Sequence, residues 1–233
     1  MRVYWLTQQQ SDVPADDEWL TAAERAGLAG LRVPKRRHDW RLGRWTAKQA
    51  LAAYLDDGGR SARTLARLEV RATEDGAPEA FVDGQPAPVT LSISHSAASA
   101  LCALGPRPVA LGCDVERIEP RAAVFVTDYF TPAEGALVAA ASAAARDVLV
   151  TAIWSAKESG LKALRQGLRL NTRAVEVRLR AAEPSASWQP IVVQYEGGAI
   201  RFHGWWRCSE GLVYSVVTDS CDATLTALQR QQP

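Results

Sequence analysis

Trp154-Ser155-Ala156-Lys157-Glu158-Ser159-Gly160-Leu161-Lys162-Ala163-Leu164 reads as a helix. Ala, Leu, Lys and Glu are good helix formers, and Leu161 and Leu164 follow Lys157 at helical spacing. Trp154, Glu158 and Lys162 recur every four residues, so their side chains line one face. A Glu followed one turn later by a Lys is commonly a surface ion pair. A second acidic pair shifts the balance. Asp114 and Glu116 stand two apart on the strand read from Val109 onward, so they project on the same face. Carboxylates on a mostly apolar strand cost free energy unless something pairs them. With Glu158 as a third carboxylate, the set points to a hard-cation site.

The chain has 233 residues, 47% hydrophobic and 23% charged. That suits a globular protein with a sizeable core, in one large or two small domains. The net charge of +1 gives no global field to recruit a polyanion, so any basic site is local. No apolar run approaches the roughly 20 residues of a membrane helix. Met1–Leu6 lacks the apolar stretch and cleavage site of a signal peptide, so a cytoplasmic protein is expected. Cys102, Cys113, Cys208 and Cys221 show no Cys-x-x-Cys spacing, which argues for reduced cysteines rather than a zinc or redox pair.

From the N-terminus, Arg2–Leu6 reads as a strand, and Thr21–Glu24 as a capped helix start. Pro34 opens a helix over Lys35–Leu55. Its front carries Lys35, Arg36, Arg37, His38, Arg41, Arg44 and Lys48, and Arg37, Arg41, Arg44 and Lys48 form a stripe. This is either a solvated basic face, a weak nucleic-acid patch, or a phosphate site aided by the helix N-terminus. Asp56–Arg60 is a turn by composition, as are Asp75–Pro78, with Gly76 at its centre, and Asp83–Pro86. Short strands are expected at Val70–Thr73, Ala80–Asp83 and Val89–Ser94. The last delivers Ser94, His95 and Ser96 at its end, just before a strand over Ala97–Leu104.

Gly105-Pro106-Arg107-Pro108 is the most linker-like point, which places domains at residues 1–106 and 107–233. Thr131-Pro132-Ala133-Glu134 is a capped helix start, with Glu134 as its capping-box carboxylate. Ala-rich sequence runs to Arg146, and Asp147–Leu164 forms the central helix, ended near Gly167. Val175–Leu179, Pro190–Tyr195, Ala199–Trp206 and Leu212–Thr218 read as an antiparallel sheet, followed by a fraying polar tail.

Trp45-Thr46-Ala47-Lys48-Gln49-Ala50 resembles Trp154-Ser155-Ala156-Lys157-Glu158-Ser159, 109 residues later. The echo suggests an α+β pseudo-dimer. Each of its two similar subdomains would be a long helix packed on a small antiparallel sheet, with the active site at their interface. Gln49 stands where the second copy has Glu158, which assigns the metal to the second half.

Three motifs in this order and spacing make the chain similar to the 4′-phosphopantetheinyl transferases of the large, surfactin-synthetase-activating type. They are Ser94-His95-Ser96, then Gly112-Cys113-Asp114-Val115-Glu116, matching Gly-x-Asp-x-Glu, then Trp154–Ser159 with Lys162, matching Trp-x-x-Lys-Glu-(Ser/Ala)-x-x-Lys. The resemblance covers nearly the whole chain. It implies Mg²⁺-dependent transfer of phosphopantetheine from coenzyme A to a serine of an apo acyl or peptidyl carrier protein, releasing adenosine 3′,5′-bisphosphate. Asp114, Glu116 and Glu158 would hold the metal. Glu158 and Lys162 would be catalytic, as base and phosphate contact. Lys35, Arg37, Arg44, Lys48, Gly76, Ser94 and His95 are the expected coenzyme A contacts, joined at the pyrophosphate by Asp114, Glu158 and Lys162. The turn departs from the family's pattern, with Ala77 where many members carry lysine.

A Mg²⁺-dependent phosphohydrolase acting on a nucleotide or coenzyme A would use the same carboxylates with water as nucleophile. A nucleic-acid-binding module would use only the basic stripe, and near-neutral charge argues against it. The expected protein is a monomer of secondary metabolite biosynthesis, with no nucleic acid or membrane partner.

Overall fold

The structure, a computed structural model, describes residues 1–55, 65–166, 170–179, 185–195 and 200–229. The turn expected at Asp56–Arg60, the helix end at Gly167, Ala199 and the last four residues of the tail lie outside the described residues. The fold is mixed α+β. The chain divides into two compact units, one of Arg2–Pro108 with the segment from Thr224, the other of Val109–Ala223 with Met1.

The first unit contains β1 (Arg2–Gln9), α1 (Ala22–Ala29), α2 (Pro34–Leu55), β2 (Leu68–Ala72), β3 (Pro78–Val82), β4 (Gln85–Pro86), β5 (Val89–Ser96), β6 (Ser99–Pro106) and β12 (Thr224–Ala227). One sheet has the order β12-β1-β6-β5, the other β2-β3-β4. β12 runs parallel to β1, pairing Arg2 with Thr224 through Trp5 with Ala227, so this part of the tail does not fray. The strand expected from Ala97 starts at Ser99 instead. Ala97 and Ala98 form a two-residue turn with φ of 49° and 62°. Positive φ suits the twist of a tight hairpin but is strained for alanine. α2 lays Ala47, Ala50 and Leu51 into a core with Leu6, Cys102 and Leu104.

The second unit contains β7 (Leu111–Arg117), α3 (Ala123–Tyr129), α4 (Pro132–Ala140), α5 (Ala143–Ala163), β8 (Val175–Leu179), β9 (Gln189–Tyr195), β10 (Ile200–Ser209) and β11 (Leu212–Thr218). Its antiparallel sheet has the order β7-β11-β10-β9-β8. α5 presses Leu149, Val150, Ile153, Ala156 and Leu161 into a core shared with Val193, Phe202, Trp206 and Val213. α4 starts as its sequence predicts, with Thr131 at the N-cap, Pro132 inside the first turn and Glu134 completing the capping box. The Ala-rich run does break, however. Ala141 is extended, and Ser142 caps α5 by accepting from the Ala145 amide at 3.3 Å, so α5 begins four residues before Asp147.

Each unit anchors its long helix with the same buried device. In the first, Lys48 Nζ lies 2.6 Å from Glu24 Oε2 and donates to the Trp19 carbonyl at 2.7 Å. Glu24 also accepts from the Thr21 amide and, through Oε1, from the Val70 amide. In the second, Lys157 Nζ lies 2.9 Å from Glu134 Oε2 and donates to the Thr172 and Val175 carbonyls. Glu134 accepts from the Thr131 amide and, through Oε1, from the Val177 amide. The six-residue echo thus extends to a shared network of helix cap, lysine and strand amide. All four cysteines are free, with Cys102 and Cys113 buried. Among the described residues, no helix is long and apolar enough to cross a membrane.

Candidate active site

The site in the second unit forms because α5 lies unusually close to β7. Gly112 has no side chain, and the Ser159 carbonyl of α5 occupies the space a Cβ would need, at 1.8 Å from its ideal position. Gly160 does the same against Val193, whose Cγ1 would be 2.7 Å from an added Cβ. Ser155, Ser159 and Ser215 complete this small-residue seam. Ser215 Oγ stands 2.8 Å from Ser155 Oγ and 2.7 Å from Ser159 Oγ, which satisfies hydroxyls buried from water. Ser215 is the cross-strand partner of Asp114.

The seam brings the second half of α5 to the acidic strand. Lys162 Nζ is 2.8 Å from Asp114 Oδ1 and donates to the Cys113 carbonyl at 3.0 Å. Asp114 is buried, while Lys162, Glu116 and Glu158 are partly exposed. Burial opposes the Lys162 charge, yet Asp114, with smaller help from Cys113 and Glu158, holds the ammonium above its ordinary range. Burial, reinforced by the Asp114 charge, pushes Glu116 up to about 7, with Arg121 and the Trp154 hydrogen bond acting against it. Glu158 is raised for the same two reasons, opposed by Lys162.

Four residues beyond the expected set support these groups. Trp154, on the same helix face as Glu158 and Lys162, donates Nε1–H to Glu116 Oε1 at 3.3 Å. Phe125 and Tyr129 of α3 pack edge-on to its ring. Arg121 reaches Glu119 at 3.3 Å and Glu116 at 3.9 Å, with its guanidinium over Phe125. Trp154 carried a signal in the sequence, through its four-residue spacing. Arg121 and Phe125 carried none, since they lie on a segment with no strong periodicity.

The donor set fits a divalent cation in its chemistry. Asp114, Glu116 and Glu158 offer hard oxygen ligands. Glu158 Oε1 is buried and has no hydrogen-bond partner. The Glu116 and Glu158 carboxyls are raised by burial first and by the Asp114 charge second, and a bound cation would favour their ionised forms. Among the described residues no three His, Cys, Asp or Glu side chains converge as a ready ligand set, so gathering these carboxylates on one ion takes side-chain rotation.

The other residues expected to meet coenzyme A belong to the first unit. Lys48 is fully buried between Glu24 and the Trp19 carbonyl. This corrects the reading of Lys48 as a phosphate ligand, because its ammonium holds α2 to α1 from inside the core. Arg37 donates to the Leu28 and Leu31 carbonyls at 2.7 and 3.3 Å, closing the end of α1. Arg41 is paired with Asp17 at 3.0 Å. Lys35 is exposed, paired with Asp39 at 2.8 Å. Arg44 stacks over Trp40 at 4.9 Å; its Nε is buried with no hydrogen-bond partner, and burial lowers its pKa. Gly76 sits at φ +84° in the β2–β3 turn, with open space around it. Ser94 is buried near the end of β5, while His95 is exposed. The His95 ring lies beside α2, its Cδ2 3.9 Å from where a Cβ on Gly43 would stand. His95 and Arg44 thus flank Gly43; Arg41 Nε is also buried without a hydrogen bond but is ion-paired with Asp17, whereas Arg44 Nε has no ion pair among the described residues.

No curated protein matches the chain. A solved structure of a holo-(acyl-carrier-protein) synthase from Bacillus anthracis str. Ames, in complex with CoA (3′,5′-ADP), is similar to part of it. That likeness has 23% sequence identity and a TM-score of 0.38, and covers 44% of this chain and 92% of the other. Residues 110–200, the span that carries Asp114, Glu116, Glu158 and Lys162, match the family model of ACPS, the 4′-phosphopantetheinyl transferase superfamily.

Proposed function

We propose that the protein transfers the 4′-phosphopantetheine arm of coenzyme A to a serine hydroxyl of an apo acyl or peptidyl carrier protein, releasing adenosine 3′,5′-bisphosphate. The observation that carries this reading is the contact of Lys162 with Asp114 beside Glu158, inside the segment that matches the superfamily. Carboxylates able to hold a cation, beside one fixed ammonium, suit a pyrophosphate whose charge must be offset from both sides.

Asp114, Glu116 and Glu158 would hold Mg²⁺, which when bound supplies charge neutralisation and polarisation at the phosphoryl group. Lys162 meets a phosphate oxygen and stabilises charge as it moves onto the leaving group. Glu158 takes the proton of the attacking serine, a role open to a carboxylate that stands beside Lys162 and is partly exposed to an incoming acceptor. Trp154 orients Glu116 through its indole N–H. In the first unit, His95, Arg44 and Lys35 hold the nucleotide end of coenzyme A, a binding role outside the chemistry. Arg37 keeps α1 in place beside them.

Intact-mass spectrometry of an apo carrier protein incubated with the enzyme, coenzyme A and Mg²⁺, with a chelator control, tests the reading. A gain of one phosphopantetheine arm that the chelator abolishes is the expected result. An unmodified carrier with coenzyme A consumed would replace the transferase reading with a hydrolase.

A further inference from the structure

We infer that Lys157, held by Glu134, is a positioning residue that sets how α5 presents Glu158 and Lys162; the inference deepens the transferase reading and rests on it. An ammonium has three donors, and Lys157 has three acceptors around it: Glu134 Oε2 at 2.9 Å, the Thr172 carbonyl at 2.9 Å and the Val175 carbonyl. These come from the start of α4, the turn before β8 and the first residue of β8. A side chain tied at three points fixes its helix in rotation as well as position.

The opposite constraint on α5 is the seam of Gly112, Ser159 and Gly160. Lys157 precedes Glu158 by one residue, about 100° around the helix at 3.6 residues per turn. With the seam on one side and the Lys157 tripod on another, Glu158 and Lys162 are left facing the acidic strand. The same chain of contacts reaches the Trp154 wall, since Thr172 Oγ1 donates to the Tyr129 carbonyl at 3.1 Å and Tyr129 packs on Trp154.

The first unit supplies an internal control. Lys48 and Glu24 repeat the device on α2, with Gln49 and Ala53 at the positions that correspond to Glu158 and Lys162. A purely architectural role predicts equal consequences in both units.

The test compares Lys157→Met/Glu134→Gln with Lys48→Met/Glu24→Gln in the full chain. Each variant removes one buried ion pair together, which avoids leaving a lone charge, and each alters the same type of capping contact. We measure melting temperature, kcat and coenzyme A KM with an apo carrier protein, and solve crystal structures. The expected result is similar melting temperatures for the two, with kcat lower by about a hundred-fold only in the Lys157 variant, whose KM stays within about two-fold, while the Lys48 variant, whose helix carries Lys35 and Arg44, changes KM rather than kcat. In its crystal structure the Lys162–Asp114 contact of 2.8 Å is lost. Equal kcat in the two variants, or a retained Lys162–Asp114 contact, overturns the inference. Should the Lys157 double variant not fold, Lys157→Arg, which keeps the charge but not the tripod, answers to the same two criteria. A wild-type protein that modifies no carrier refutes the transferase reading alone, while the crystal contact still decides positioning.

Discussion

The carbonyl oxygen of Ser159 stands 1.8 Å from the point where a Cβ on Gly112 would lie. No rotamer relieves that clash, because both partners are backbone. Gly112→Ala must push α5 off β7, with a cost of roughly 1–3 kcal/mol for overpacking, and must draw Lys162 away from Asp114. Chemical denaturation should show the lower midpoint, and transfer should fall more than stability does. Gly27→Ala offers the contrast. It sits within α1 with nothing within 4 Å of an added Cβ, so it should stabilise by roughly 0.5–1 kcal/mol.

Removing a member of the acidic site should separate chemistry from fold. Glu158→Gln keeps the shape and removes the base and one ligand, so transfer should fall by at least about a hundred-fold. Asp114→Asn and Lys162→Met should fall comparably, because each leaves its partner's charge unmatched at a 2.8 Å contact. Near-normal turnover in a folded Glu158→Gln protein would remove both roles assigned to it.

The placing of these groups was legible in the sequence because it follows from local periodicity. Asp114 and Glu116 had to share a strand face, and Trp154, Glu158 and Lys162 a helix face. Lys48 shows where periodicity stops. It marks which face of a helix a residue occupies, but not that a carboxylate from a preceding helix, Glu24, covers that face and buries the ammonium. The echo aligns Lys48 with Lys157, and the structure gives both lysines one job, each paired with a buried capping-box glutamate. The break at Ala141 was invisible for a simpler reason: alanine favours helix equally on both sides, so only the serine cap decides where α5 begins. α3 was missed because seven residues give too few turns to show a period.

Glu116 gives metal-free protein a pH signature. Its folded-state pKa of about 7 lies above the ordinary 4.5, so between these values the folded chain holds a proton that the unfolded chain has released. Stability therefore falls as pH rises from about 4.5 to 7. Thermal melts across that window with chelator present should show the slope, and Glu116→Gln should flatten it. Saturating Mg²⁺ should weaken the slope as well, by favouring the ionised carboxylate.

His95 tests the nucleotide side separately from the chemistry. It is exposed at the end of β5 and lies beside Gly43, one residue from Arg44. His95→Ala should raise the KM for coenzyme A by about ten-fold, the loss of one charge-assisted hydrogen bond, while kcat changes by less than two- to three-fold. Arg44→Met should act in the same direction. Dephospho-coenzyme A, which lacks the 3′-phosphate, supplies the check. If His95 meets that phosphate, the variant and the wild type should bind the dephosphorylated donor equally, and a His95→Ala protein that still prefers coenzyme A as strongly as wild type would move the 3′-phosphate elsewhere.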